Sequence, residues 1–309
     1  MLRLLCMYRV RKQIDADSID DICSDDYRVT VAVLDTGIAL HPDLAGKTLA
    51  FKDFVNQRKE AYDDNGHGTH VCGIICGSGV SSSGKYRGIA PKAKLVVAKV
   101  LDDKGEGKSQ NMLDALKWVL EVQNQYNIRV LNISVGIGEL SVADSMESIN
   151  TLLKMAWQAG IVVVCAAGNK GPENGSISAV AKWNEIITVG CHDGKYYRWN
   201  LNRCENYSGR GDISWNIRKP DIVAPGTNIF SCNFMYKNVN GMIKNAYISK
   251  SGTSMATPIV SGAVARILQK YPTLSCEEVK MRLTLTATDL GEPWNKQGWG
   301  MLNFKNLLR

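Results

Sequence analysis

Short apolar runs that alternate with stretches of helical periodicity dominate this sequence. The runs have the length of buried strands and occupy residues 28–35, 95–101, 130–135, 161–166, 186–190 and 222–224. Apolar residues recur at helical spacing in residues 111–125, 145–159, 259–268 and 276–286. Because such alternation is typical of a mostly parallel sheet covered on both faces, we predict an α/β chain with three layers, α/β/α.

Polar residues stand at the ends of two of these strand-like runs and at the beginnings of two helix-like stretches. Asp35 ends the first run, and Asn169 follows the fourth after small residues. In a parallel sheet, sites form at the carboxyl ends of the strands, so we expect both side chains at one edge. His67 begins a further apolar run, and Ser254 precedes the run at 259–268. A serine there is either an ordinary helix N-cap or a nucleophile beside N–H groups that favour an oxyanion.

Four segments, in this order, resemble the signatures of the subtilisin family of serine proteases. They are Asp35-Thr36-Gly37, His67-Gly68-Thr69-His70-Val71, Ala166-Ala167-Gly168-Asn169 and Gly252-Thr253-Ser254-Met255-Ala256-Thr257-Pro258. The resemblance runs from about residue 28 to the C terminus. It implies a subtilisin-like catalytic domain at 28–309, with residues 1–27 packed on it as a leading segment. It also implies a serine endopeptidase that acts through an acyl-enzyme.

The resemblance assigns a role to each of four residues. Ser254 is the nucleophile, His67 is the base that activates it, and Asp35 orients and stabilises the imidazole. Asn169 donates its amide to the oxyanion. His70 usually packs structurally in the family. A His-x-x-His pair can also bind a metal, but helical zinc pairs usually lie four residues apart and bring a glutamate, so we predict no metal site.

Two stretches resemble the strands that bind the peptide backbone in this family. They supply the predicted substrate-binding residues Gly105, Glu106, Gly107, Ser134, Val135 and Gly136. Ile137 stands where many relatives have glycine, which predicts a reshaped pocket. Lys170 stands where secreted relatives often have an acidic residue. It predicts a preference for an acidic side chain before the cleaved bond, unless it is only a solvated lysine.

The resemblance implies no cofactor for catalysis. It does suggest a structural calcium ion, which many relatives bind. Asp43 matches a carboxylate that helps to bind this ion in many relatives. The loop at 77–85, which would supply most other ligands, lacks the usual asparagine and contains Lys85. The sequence therefore argues against the ion, although backbone oxygens remain available as ligands.

Composition limits the partners and the location. The net charge is +7, but Lys and Arg are scattered, and no nucleic-acid recognition motif is present, so we expect no nucleic-acid partner. The resemblance implies a peptide or protein substrate. No apolar run approaches the roughly 20 residues of a membrane span. Nine scattered cysteines and a leader without a signal-peptide core predict free thiols and a cytoplasmic enzyme. Only 34 residues precede Asp35, too few for the family's pro-domain. Either that domain has been removed or this member folds without it, and the Met1 start favours the second; the oligomeric state stays open.

Two questions about function remain open at this stage. The alternative to an active enzyme is an inactive pseudoprotease that binds peptides or a partner, which the complete set of catalytic residue types argues against. An active enzyme, in turn, either carries out general protein turnover or processes one dedicated precursor. The absence of a pro-domain and the altered pocket favour the dedicated role.

Overall fold

The computed structural model describes residues 7–16, 28–134, 143–194, 203–240 and 242–309. Its main sheet contains β1 (Thr30–Asp35), β2 (Thr48–Asp53), β3 (Lys94–Lys99), β4 (Ile128–Ile133), β5 (Val162–Ala166), β6 (Ile187–Cys191) and β7 (Ile222–Ala224). Their order is β2-β3-β1-β4-β5-β6-β7, and every neighbouring pair is parallel. The mostly parallel sheet of the prediction is thereby confirmed.

Two antiparallel pairs of short strands lie outside this sheet. They are β8 (Ile229–Cys232) with β11 (Tyr247–Lys250), and β9 (Lys237–Val239) with β10 (Met242–Lys244). The helices of the described residues are α1 (Met7–Gln13), α2 (His67–Cys76), α3 (Ser109–Tyr126), α4 (Ala143–Gln158), α5 (Thr253–Lys270), α6 (Cys276–Leu285), α7 (Trp294–Gln297) and α8 (Phe304–Leu307).

The longer helices form the outer layers. α5 packs on α2 and on β4, β5 and β6, whereas α3 and α4 pack on each other and on β4 and β5. Nearly all of α5 is buried, which explains why its apolar residues extend around the helix and do not form a single stripe. Likewise, every residue of β1 and β5 is buried, as expected of central parallel strands covered on both faces.

The predicted strands correspond to observed ones with boundaries shifted by one or two residues, but β2 was missed. β2 lies at the edge of the sheet, and only Asp53 among its residues is buried. An edge strand with partly exposed residues has no continuous apolar run, so its sequence lacks the signal that identifies the central strands.

The described part of the leading segment is tied to the domain by α1. Met7, Val10 and Ile14 are fully buried, and the Ile14 carbonyl accepts a hydrogen bond of 2.7 Å from the Phe304 N–H. The two ends of the described chain thus pack together. The domain boundary at residue 28 stays a prediction.

Candidate active site

The Asp35 carboxylate and the His67 imidazole meet at the carboxyl end of β1. Asp35 is the last residue of β1 and is fully buried, and His67 is the first residue of α2. His67 Nδ1 lies 2.7 Å from Asp35 Oδ1, which also accepts a 2.8 Å hydrogen bond from the Thr36 N–H. Gly68 permits the beginning of α2 to lie close to the end of β1, because a Cβ at this position would lie 2.2 Å from the Gly37 carbonyl oxygen.

The Asp35 carboxylate controls the protonation of the His67 ring. Burial disfavours the charged ring, but the charge of Asp35 and its hydrogen bond outweigh burial, so the pKa of His67 is raised above 6.5. Because the acceptor is a carboxylate, Nδ1 carries the proton in the neutral ring, and Nε2 is left as the basic nitrogen. Asp35 Oδ2 has no hydrogen-bond partner among the described residues, so His67 and the Thr36 N–H, both at Oδ1, are the hydrogen-bonding partners of this carboxylate there.

A second carboxylate, Asp63, fixes the beginning of α2 and was missed in the sequence. Its Oδ1 accepts hydrogen bonds from the Gly66 N–H at 2.7 Å and the Thr36 hydroxyl at 2.9 Å. Its Oδ2 accepts from the N–H and the hydroxyl of Thr69 at 2.8 and 2.6 Å. Burial alone would raise the pKa of Asp63, but these bonds lower it, so the group stays ionised. The Asp and Asn residues before His67 are the sequence signal that indicates such a cap.

His70 is turned away from the site. Its ring is fully buried, and Nε2 donates to the carbonyls of Ile229 and Ile248 at 3.0 and 3.1 Å. Burial, the largest effect, lowers the pKa of His70 to about 3, so the ring is neutral. Of the two histidines in this segment, His67 therefore has the accessible ring, and His70 holds α2 against β8 and β11.

Ser254 lies in the first turn of α5, beside Asn169. Asn169 Oδ1 accepts hydrogen bonds from the Thr253 N–H at 3.1 Å and the Thr253 hydroxyl at 3.0 Å. Both bonds use the amide oxygen, so Nδ2 is left as a donor at the helix terminus. Gly252, with φ of +142°, brings the backbone close to this amide, because a Cβ there would lie 3.3 Å from Nδ2.

One cavity of about 240 Å³ brings several predicted site residues together. It is lined by Thr36, Asn65, His67, Leu101, Lys104, Gly105, Ser134 and Ser254. His67 and Ser254 therefore face the same space, and Gly105 and Ser134 are the predicted substrate-binding residues that border it. The Ser134 side chain is fixed by a hydrogen bond, since Asn132 Nδ2 donates to Ser134 Oγ at 2.7 Å.

The other predicted substrate-binding residues have different positions. Glu106 and Gly107 lie on the same exposed loop as Gly105, and Lys170 is exposed next to Asn169. None of these three lines the cavity. The predicted residues Val135 and Gly136, and also Ile137, lie outside the described residues.

The prediction that the cysteines are free thiols is wrong for one pair. Cys191, at the end of β6, is disulfide-bonded to Cys204, whereas Cys72, Cys76, Cys165, Cys232 and Cys276 are buried free thiols. Scattered positions in the sequence gave no indication that these two would meet. The cytoplasmic location stays a prediction. It depended in part on the expectation that all cysteines are free thiols, which the Cys191–Cys204 bond contradicts.

Comparisons with known proteins point to one family. The sequence model of the subtilase family matches residues 26–300. The chain is 40% identical over 291 residues to the serine protease AprX of Bacillus subtilis (strain 168), covering 90% of this chain and 65% of AprX. It is 34% identical to subtilisin DY of Bacillus licheniformis, covering 94% of each.

Solved structures give the same result for the fold. Sphericase and the S41 psychrophilic protease each superpose with a TM-score of 0.77, at 28% and 29% identity, over 95% of this chain and 96% of the other. The predicted fold class is confirmed, and the matches support the predicted class of enzyme, a serine endopeptidase. Among the described residues, no helix is long and apolar enough to cross a membrane. The family model alone spans most of the chain, and the chain therefore belongs to the subtilase family.

Proposed function

We propose that this chain hydrolyses peptide bonds through an acyl-enzyme, with Ser254 as the nucleophile. Ser254 Oγ bonds to the substrate carbonyl carbon while His67 Nε2 takes the hydroxyl proton, and Asp35 stabilises the resulting imidazolium. The negative charge moves to the carbonyl oxygen, between Asn169 Nδ2 and the Ser254 N–H. The C–N bond then breaks, and the leaving amine receives the proton from His67. Water repeats the sequence on the ester and releases Ser254.

One observation carries this proposal. The 2.7 Å contact between His67 Nδ1 and Asp35 Oδ1 lies at the wall of a cavity that Ser254 also lines. A base held by a carboxylate and facing a hydroxyl at a helix N-terminus has all the components that acyl transfer requires. The alternative is a pseudoprotease that only binds peptides. Peptide binding alone does not require a buried carboxylate that orients an imidazole.

Labelling with a fluorophosphonate probe tests the nucleophile. We expect covalent labelling of the chain, complete loss of labelling in Ser254→Ala, and unchanged labelling in the matched variant Ser251→Ala. Casein hydrolysis should follow the same pattern. An intact, folded chain that binds peptides but is neither labelled nor able to cleave them would favour the pseudoprotease.

Lys170 supports a finer proposal, a preference for an acidic residue before the cleaved bond. Its side chain is exposed next to the proposed oxyanion donor Asn169, and no ion pair involves it among the described residues. A cation at this rim would attract a carboxylate on the substrate. Such selectivity suits the processing of a dedicated precursor better than general turnover.

A peptide library that varies the residue before the cleaved bond tests this preference. We expect Lys170→Glu to reduce kcat/KM for a glutamate at that position by about tenfold relative to glutamine, the effect of one modest charge pair. The control Lys154→Glu changes an exposed lysine on α4, away from the cavity, and should leave the ratio unaltered. Equal ratios in all three proteins would contradict the preference.

A further inference from the structure

Asp43, the carboxylate that the resemblance connects with calcium, already has partners within the protein. Asp43 is buried, and its Oδ2 accepts a hydrogen bond of 2.6 Å from the Tyr247 hydroxyl. Its Oδ1 accepts one of 3.0 Å from the Ser81 N–H. The Tyr247 hydroxyl also lies 3.0 Å from Ser82 Oγ. Through Asp43, Tyr247 thus connects β11 to the 3-10 turn at Val80–Ser82.

Several backbone carbonyls of the loop that follows α2 accept hydrogen bonds from the chain's own donors. The Gly79 carbonyl accepts from the N–H groups of Ser82 and Gly84, each at 2.9 Å. The other donor–acceptor pairs of this kind are Ser83 N–H with Val80 O, Lys85 N–H with Ser82 O, Arg87 N–H with Gly84 O, and Gly88 N–H with Gly77 O. Calcium needs six to eight oxygen ligands. Within the part of the chain that the structure describes, Ser81 Oγ is buried without a partner, but one hydroxyl does not form such a shell.

A fixed positive charge reaches the same loop from the N-terminal helix. Arg11, a buried residue of α1, donates from Nη1 to the Arg87 carbonyl at 2.7 Å and from Nη2 to the Gly84 carbonyl at 3.4 Å. A guanidinium offers several donors in a rigid plane, which suits it to bind two carbonyls of one loop. The loop is therefore held by a cation that is part of the chain.

The side chains near Asp43 do not form a site for another metal either. His41 and Cys232 lie close enough to Asp43 to share an ion with it. However, His41 Nδ1 accepts a hydrogen bond from the Asp43 N–H at 3.1 Å, and Nε2 donates to the Ala246 carbonyl at 2.8 Å. Both ring nitrogens are thus in use, and a metal bound through His41 would break one of these bonds.

We propose that the Tyr247 hydroxyl and the Ser81 N–H take the place of a calcium ion at Asp43. An ion stabilises a folded protein only to the extent that the free ion is present, whereas hydrogen bonds within the chain do not depend on its concentration. The loop after α2 therefore keeps its structure without calcium. This inference concerns stability and does not rest on the proposed catalytic roles.

Thermal unfolding of Ser254→Ala, which avoids self-digestion if the chain is a protease, tests the proposal. We expect the same Tm in excess calcium chloride and in excess EGTA. Tyr247→Phe in this background should lower Tm by about 2–8 °C in both conditions, because it leaves a buried carboxylate oxygen without its donor. The control is Tyr236→Phe, whose ring contacts His41 at 5.1 Å between centroids and whose hydroxyl has no hydrogen bond to Asp43. It should unfold at the parent Tm.

The calcium titration of the parent keeps the test decisive even if Tyr247→Phe fails to fold. A Tm that rises with calcium in the parent and no longer does so in Asp43→Asn would overturn the proposal, as would a Tyr247→Phe variant as stable as its parent. A calcium response that Asp43→Asn retains comes from another part of the chain and leaves Asp43 with the partners proposed here.

Discussion

At the level of single residues, the proposed chemistry depends on one buried carboxylate that faces one partly exposed ring. Asp35 is fully buried, whereas the His67 side chain is 23% exposed. A carboxylate in that setting favours the imidazolium and holds the ring in one tautomer. Both residues were predicted as site residues from the sequence segments in which they lie and from the order of those segments. The local signal for the cap at Asp63 was missed, whereas the hydrogen bond from the Thr36 hydroxyl to Asp63 has no local signal, because it depends on where the backbone turns.

The pH dependence of activity follows from the raised pKa of His67. A general base must be neutral, so kcat/KM should reach half its maximum on the acidic side at a pH above 6.5. The stabilising contribution of protonated His67 is fully present below pH 6.5 and is lost as the pH rises through its folded pKa. A pH–rate profile with a small peptide substrate measures the first effect.

Titration of the ring protons by NMR in Asp35→Asn provides the matched test. Loss of the carboxylate removes the two largest raising effects. Burial and the charge of Lys250, which lower the pKa, then outweigh the remaining raising effect, the charge of Asp63, so the pKa of His67 should fall below 6.5. His41, whose pKa is lowered mainly by burial, contacts other groups and should titrate as before. A His67 pKa that is the same in both proteins would mean that Asp35 does not control this ring.

At the level of secondary structure elements, the position of the proposed nucleophile depends on how α5 is connected to β4. Ser261, fully buried on α5, donates from Oγ to Asn132 Oδ1 at 2.8 Å, and Asn132 in turn donates to Ser134. This buried polar chain links the helix of Ser254 to a wall of the cavity. The sequence shows only three small polar residues in apolar surroundings, because their partners lie on elements far apart in the chain.

Ser261→Ala tests the link between the helix and the strand. It leaves Asn132 Oδ1 buried without this donor, which should lower the free energy of unfolding by about 1–3 kcal/mol. Urea unfolding in the Ser254→Ala background measures the change. Ser148→Ala, at an exposed position of α4, should change it by less than about 0.5 kcal/mol. Equal losses in the two variants would show that the buried chain has no special role.

At the level of the whole molecule, the disulfide joins the end of β6 to the 3-10 turn at Cys204–Asn206 and packs near the segment that precedes the proposed nucleophile. Gly226 lies between the disulfide and this segment, since a Cβ there would meet Cys191 Sγ at 2.5 Å and the Gly252 carbonyl at 2.7 Å. The Gly226 carbonyl also accepts a hydrogen bond of 2.9 Å from the Gly252 N–H. The pair thus supports the backbone next to Ser254, through packing that no local pattern encodes.

Reduction of this pair should destabilise the whole domain. The bond joins residues 13 positions apart, and closing a loop of that size stabilises by about 3 kcal/mol. We expect reductant to lower the Tm of Ser254→Ala by several degrees. The same background with Cys191→Ser and Cys204→Ser should start at that lower Tm and not respond to reductant. If reductant lowered the Tm equally with and without the two cysteine substitutions, the effect would not come from the Cys191–Cys204 bond.

The alternation of the central strands with helices followed from the sequence, and the four candidate catalytic residues followed from its resemblance to a known family. Apolar periodicity reports which faces are buried, and the reacting groups are restricted to a few residue types in short segments. The edge strand β2, the Cys191–Cys204 bond, the hydrogen bond from Thr36 to Asp63 and the Tyr247–Asp43 contact were decided by tertiary structure. Each depends on the distance between groups that are remote in the chain. That distance is set by the packing of the entire sheet and its helices, which no local stretch of sequence contains.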